Sequence, residues 1–200
     1  PDTMRLIDRW VGIPLCFFAS FWPLKKAQAD SNSTLATNIP PPDTIVFILI
    51  AEIGALVVAY PAIKETRKQH PKSRICFITA PAGLQTLELM GFEKEDIFLL
   101  ETTSIKSLLK GIVNIRSHFK GKRVSAIVLE PFTRFSTLLS AWIGASKRIG
   151  CYRFLNEGVY LGNILTHRLV YNPHLHMSQT YFALAKALIE PDSAKPLLKE

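Results

Sequence analysis

A chain of 200 residues, 48% hydrophobic and 20% charged, suits one globular domain with an appendage and excludes disorder over most of its length. Its net charge of +8 points to a polyanionic neighbour (nucleic acid, an anionic membrane face or a phosphorylated substrate) or to a solvated basic surface. The three cysteines, Cys16, Cys76 and Cys151, are far apart, and no two have metal-ligand spacing, which argues against a zinc site and for a reducing compartment.

Residues 1–28 form an N-terminal extension. Its run VGIPLCFFASFWPL (residues 11–24) is apolar, with Arg5 and Arg9 before it and Lys25 and Lys26 after. The run falls short of the ~20 residues of a spanning helix, and it carries Pro14 and Pro23. Ala27-Gln28-Ala29 imitates a signal-peptidase site, but Asp8 and the two lysines argue against a cleaved signal. Two readings stay open. One is a helix lying in a membrane interface, which aromatics flanked by cations suit. The other is a helix packed on the domain's own core. Residues 29–43, ADSNSTLATNIPPPD, are polar, end in three prolines before Asp43 and read as an extended linker.

The folded domain is expected over residues 44–190. TIVFILI is an apolar strand, and residues 54–69 are a helix with a basic last turn and Pro71 as its stop. SRICFITA is a second strand, AGLQTLELMGF a short helix closed by Gly91, and DIFLLE a third strand. In SIKSLLKGIVNIRSHFKGK, Ile105, Leu108, Leu109, Ile112 and Ile115 mark a helical face that ends at Gly121. VSAIVLE is a fourth strand, RFSTLLSAWIGA a helix ending at Gly144, and KRIGCYR a fifth strand. A loop-rich stretch then leads to a last helix, SQTYFALAKALIE. Strands apolar throughout and alternating with helices predict an α/β, Rossmann-like doubly wound parallel sheet of about five strands, covered on both faces.

Open α/β sheets bind ligands at the carboxyl ends of their strands. The candidates there are Glu52 and Gly54 after the first strand, Glu130, Thr133 and Arg134 after the fourth, and Arg153 at the fifth. A carboxylate at Glu52 or Glu130 could serve as general base toward an acceptor hydroxyl; Glu130 could instead only complement a helix dipole. Gly54 is expected to permit a tight turn and close approach of a ligand to the backbone. Arg134 and Arg153 could clamp phosphates or carboxylates, or pair with neighbours such as Glu157. The sequence holds no GxGxxG after the first strand, no GxxxxGK[ST] and no GxSxG, which disfavours ordinary dinucleotide and P-loop binding and a serine nucleophile elbow. His174 and His176 lack a third ligand, so no metal is expected. Aromatics do not interleave with Arg and Lys as in nucleic-acid modules, so no nucleic acid is expected either.

The segment ILIAEIGALVVAYPAIKETRKQHP, residues 48–71, is similar to the opening motif of the glycosyltransferase family 9 heptosyltransferases (the ADP-heptose:lipopolysaccharide enzymes). Gly54 matches the glycine of their Ser-x-Gly-Asp turn, and Tyr60-Pro61-Ala62-Ile63 matches the motif on the following helix. VLEPFTRFSTLLSAWIGASKRIGCYR, residues 128–153, resembles their strand–helix–GAxxRIGF segment, with Gly144, Ala145, Arg148, Ile149 and Gly150 in the matching places. RLIDRWVGIPLC resembles an N-terminal extension of one branch, and the likeness runs over most of residues 44–188.

The resemblance implies the N-terminal, acceptor-binding half of a GT-B fold. Residues 191–200 would begin the connection to a C-terminal donor domain outside this chain. The implied reaction is an inverting, metal-independent transfer, with no cofactor, from a nucleotide sugar, ADP-linked, to a lipopolysaccharide or other surface-glycan acceptor. The expected setting is cytoplasmic, peripheral on the inner membrane, and the net charge with the apolar run of residues 11–24 makes an anionic membrane surface a further expected partner. The fragment alone is expected to be inactive. Gly54, Glu130, Thr133, Arg134 and Arg153 are the expected acceptor-binding residues. Family members place their catalytic Asp after the turn glycine, where this chain has Ala55. Glu52, the nearest carboxylate on the turn, is expected to act as the base, or else to stand at the helix N-terminus as a structural or acceptor-binding group. The alternative is a non-catalytic α/β module that binds a phosphorylated glycan or an anionic lipid.

Overall fold

The computed structural model describes residues 12–21, 41–154, 160–189 and 196–197. Helix α1 (Gly12–Phe21) precedes an alternation of β1 (Thr44–Ile48), α2 (Ile53–Gln69), β2 (Arg74–Thr79), α3 (Leu84–Leu89), β3 (Ile97–Leu99), α4 (Ile105–Phe119), β4 (Val124–Val128), α5 (Arg134–Trp142), β5 (Lys147–Phe154), β6 (His167–Tyr171), α6 (Met177–Lys186) and the two-residue β7 (Pro196–Leu197). The strands form one sheet in the order β3-β2-β1-β4-β5-β6-β7. Every pairing is parallel. This is the doubly wound arrangement, in which the strand order reverses between β1 and β4 and opens a crevice at their carboxyl ends.

The apolar runs explain the central position of β1 and β4. All five residues of each are buried, as a strand covered on both faces requires. Ile45, Phe47 and Leu49 join α2 and α6 in one core, where Phe47 stacks on Phe77 at 5.9 Å. Val46 and Ile48 face α4 and α5 in the other. At the amino end of β1 the exposed Asp43 carboxylate accepts from the Arg123 guanidinium at 2.6 Å, which holds its pKa below the usual carboxylate range.

Two expectations are corrected. The sheet has six substantial strands rather than about five, because β6 lies in the stretch read as loop. Its leading His167 and Arg168 hide a strand that alternates rather than running apolar throughout: His167 and Leu169 are buried, and the residues between and after them are only half-covered. A short seventh strand, β7, also falls in the segment expected only to begin a connection.

Helix α1 packs on α5, with Gly12 and Cys16 buried and Phe17, Phe18 and Phe21 exposed. No helix among the described residues is long and apolar enough to cross a membrane. Arg5, Arg9, Lys25, Lys26, linker residues 29–40, Glu157 and the side chain of Arg153 lie outside the described residues.

Candidate functional site at the carboxyl ends of β1 and β4

The ladder of β1 continues one residue past the strand on each side, with Leu49 N donating to Ile78 O and Leu129 N to Ile48 O, both at 3.0 Å. The chain then leaves the sheet through Ile50 and Ala51. Their backbone N–H groups both donate to one oxygen of Glu130, at 2.7 and 2.6 Å. The other oxygen of Glu130 accepts from the Ser136 hydroxyl on α5. Glu130 is only 7% exposed. A buried carboxylate survives away from water when donors surround it, and here three do. Glu130 thus ties the β1–α2 turn to β4 and α5, a role different from complementing a helix dipole.

Glu52 sits on the turn that Glu130 holds. It occupies the position before α2 with extended backbone, but its side chain makes no capping hydrogen bond. It is exposed, and among the described residues its carboxylate makes no hydrogen bond or ion pair. Gly54 needs a correction. Its backbone is not left-handed, and a Cβ there would meet nothing within 4 Å. The turn does not require glycine; the residue leaves open space at the start of α2. Ala55, where the resemblance would put Asp, packs against the core beneath α2. Further along α2, Pro61 removes the N–H that would bond the Val57 carbonyl. Both residues face solvent, so the break stays hydrated.

The turn after β4 carries Phe132 at φ +60°, a left-handed conformation that costs a bulky residue about 1–3 kcal/mol. Its ring packs edge-on against Tyr171 at 5.7 Å. Thr133 precedes α5 without capping it, and its hydroxyl donates to Pro131 O at 3.4 Å. Arg134 opens α5 and donates through Nε to Tyr160 O at 3.1 Å. The Arg153 backbone pairs with Val170 beside a register shift in β5.

Sequence reasoning passed over Tyr181 of α6. It is 1% exposed, and burial first, then the nearby charge of Glu52, pushes its phenol up to about 12, with Cys151, Glu130 and Tyr171 adding to the effect. Its position on the apolar face of α6 reads as core, and the sequence carries no further signal for it. Glu52, Glu130, Phe132, Tyr171 and Tyr181 therefore gather at one edge, with one free carboxylate among them.

The GAxxRIG segment has a structural explanation. Gly144 ends α5 at φ +81°, donating to Ala141 O, while Ala145 N reaches Ser140 O. Arg148, 1% exposed, donates to Ile164 O at 2.6 Å and Ala145 O at 2.5 Å, so it holds together the loops on both sides of β5. At Gly150 a Cβ would come within 3.1 Å of Leu165 and 3.4 Å of Val128. His176 caps α6 by accepting from Ser178 N, and no three His, Cys, Asp or Glu side chains among the described residues group as a metal would need. An open groove of about 520 Å³ lies elsewhere, between the edge strand β3 and α4, lined by Phe98, Leu99, Asn114 and His118 among others.

No family model matches the chain, and no curated protein sequence matches it. Solved structures do. The E. coli heptosyltransferase WaaC with ADP superposes with a TM-score of 0.56 at 8% identity, over 76% of this chain and 49% of that one. WaaC with ADP-2-deoxy-2-fluoro heptose gives 0.57 at 10% identity, over 76% and 50%. A glycosyl transferase family 9 protein from Veillonella parvula DSM 2008 gives 0.54 at 17% identity, over 73% and 41%. The chain spans half or less of the length of these proteins, and it shares their Rossmann-like α/β fold.

Proposed function

We propose that the chain is the acceptor-side half of a glycosyltransferase that moves a sugar from a nucleotide-sugar donor to a lipopolysaccharide or other surface-glycan acceptor. The observation that carries this reading is the unpaired Glu52 carboxylate on a turn fixed by Glu130, at the strand exits of a fold shared with family 9 glycosyltransferases. A base needs an available oxygen within hydrogen-bond reach of the hydroxyl that attacks. Glu52 has both oxygens free, whereas those of Glu130 are engaged. The open space at Gly54 and the first N–H groups of α2 give the acceptor room beside Glu52. Thr133, Arg134 and Arg153 would hold the acceptor's phosphate or hydroxyl groups. The donor, ADP-linked in this reading because WaaC was solved with ADP and an ADP-sugar, would be held by a second α/β domain. Transfer would invert the sugar carbon and need no metal, on the cytoplasmic face of the inner membrane.

The test is transfer by the intact protein. ADP-linked sugars are offered with lipopolysaccharide-core and lipid-linked acceptors, and released ADP is measured. Acceptor-dependent ADP release supports the reading. Acceptor binding without release, for every donor offered, would favour the binding module, for which the inert Ala55 speaks.

A further inference from the structure

We propose that the outer face of α4, together with α1, is a docking surface for an anionic lipid bilayer. The proposal extends the transferase reading, which sets the chain at a membrane without naming the surface that meets it, but it is argued from α4 and α1 alone and its test does not involve transfer. Ile105, Leu109 and Val113 are four residues apart, so they form one stripe along α4. They are 72%, 57% and 57% exposed, while Ile115 and Phe119 of the same helix are buried against the sheet. The helix thus has two apolar sides, and one has nothing over it among the described residues. The charged side chains of α4 itself have one sign. Lys106, Lys110 and Arg116 are exposed beside the bare stripe, and no Asp or Glu stands between Glu101 and Glu130.

The stripe does not stand alone. Arg116 donates to the Trp142 carbonyl at the end of α5, and its guanidinium lies over the Trp142 indole at 5.1 Å. Trp142 is itself 48% exposed. Helix α1 packs on that same α5, with Phe18 68% and Phe21 73% exposed. Aliphatic residues, exposed aromatics and cations on a helix that carries no Asp or Glu match a headgroup boundary. There apolar side chains enter the acyl edge, and Lys and Arg meet lipid phosphates. A protein partner of neutral or basic surface would leave these cations unmatched.

The test is co-sedimentation of the 200-residue chain with phosphatidylglycerol-rich vesicles and with phosphatidylcholine vesicles. The chain should bind the first and not the second, and binding should weaken as salt shortens the screening length. Leu109→Glu/Val113→Glu should lower binding about tenfold or more with an unchanged circular dichroism spectrum. Lys106→Glu/Lys110→Glu should weaken binding and flatten its salt dependence. Equal binding to neutral vesicles would overturn the proposal. So would undiminished binding by Leu109→Glu/Val113→Glu when Phe17→Ser/Phe18→Ser abolishes it, because α1 alone would then hold the lipid. A dimer in sedimentation velocity that Leu109→Glu/Val113→Glu dissolves would assign the face to a second copy of the chain.

Discussion

Two neighbouring strands, β1 and β4, each end in a carboxylate after the same kind of apolar run, and the two have opposite fates. Glu130 is buried and accepts from two backbone amides and a hydroxyl. Glu52 is exposed and unpaired among the described residues. The difference follows from what each strand meets at its exit. The β4 exit points its carboxylate at the N–H groups of the β1–α2 turn, which have left the ladder and need an acceptor. The β1 exit leaves Glu52 on the turn without a hydrogen bond among the described residues. One carboxylate builds the platform and the other is presented on it. A group fixed by its neighbours cannot readily exchange a proton with a substrate, whereas one held only through its backbone can.

This contrast can be broken by substitution, and the largest effect on stability should come from Glu130. Glu130→Ala strands two amides and the Ser136 hydroxyl, and should cost about 2–3 kcal/mol in urea unfolding. Ser136→Ala removes one donor and leaves the amides paired, so about 1 kcal/mol is expected. Glu52→Gln touches no hydrogen bond of the fold and should change stability by less than about 0.5 kcal/mol. A loss at Glu52 as large as at Glu130 would erase the distinction between the two.

The smallest effect concerns pH and lies away from both carboxylates. Burial first, then nearby Lys147, holds His70 below its ordinary pKa. Burial first, then Lys122 and Arg74, does the same for His118. The unfolded chain therefore takes up protons near pH 6.5 that the folded chain refuses until lower pH. Stability from these residues is present above that pH and is lost as pH falls below it. The urea midpoint should drop between about pH 7.5 and 5.5, and His70→Gln/His118→Gln should flatten the drop. A drop unchanged in that variant would place the titration elsewhere.

How much of this could be read beforehand differs by element. The central strands β1 and β4 were legible because burial on both faces leaves no polar position to confuse the pattern. Strand β6 was not. His167 is buried with its Nδ1 on the Thr166 hydroxyl, and the Arg168 guanidinium lies 4.7 Å from the Tyr152 ring, partners that only the folded sheet supplies. Glu52 and Glu130 stood out as carboxylates at strand ends. The grip of Glu130 did not, because the amides it holds lie 80 and 79 residues away. Tyr181 reads as one more apolar residue of α6 until the crossover sets it beside Glu52. Gly54 stood out for its backbone freedom, yet its backbone is not left-handed and the position a Cβ would take is simply open. Arg148 was matched by resemblance alone, and its work of tying two loops through their carbonyls appears only in three dimensions.

The most direct test of the central claim is the rate of sugar transfer by the intact protein carrying Glu52→Gln, measured at saturating acceptor beside the unsubstituted protein. If Glu52 is the base on a platform built by Glu130, kcat should fall ~10²-fold or more. The KM for acceptor and the unfolding midpoint should stay close to those of the unsubstituted protein. A variant that transfers at full rate would contradict the account, and one that loses acceptor binding while keeping its rate at saturation would make Glu52 an acceptor contact instead of the base.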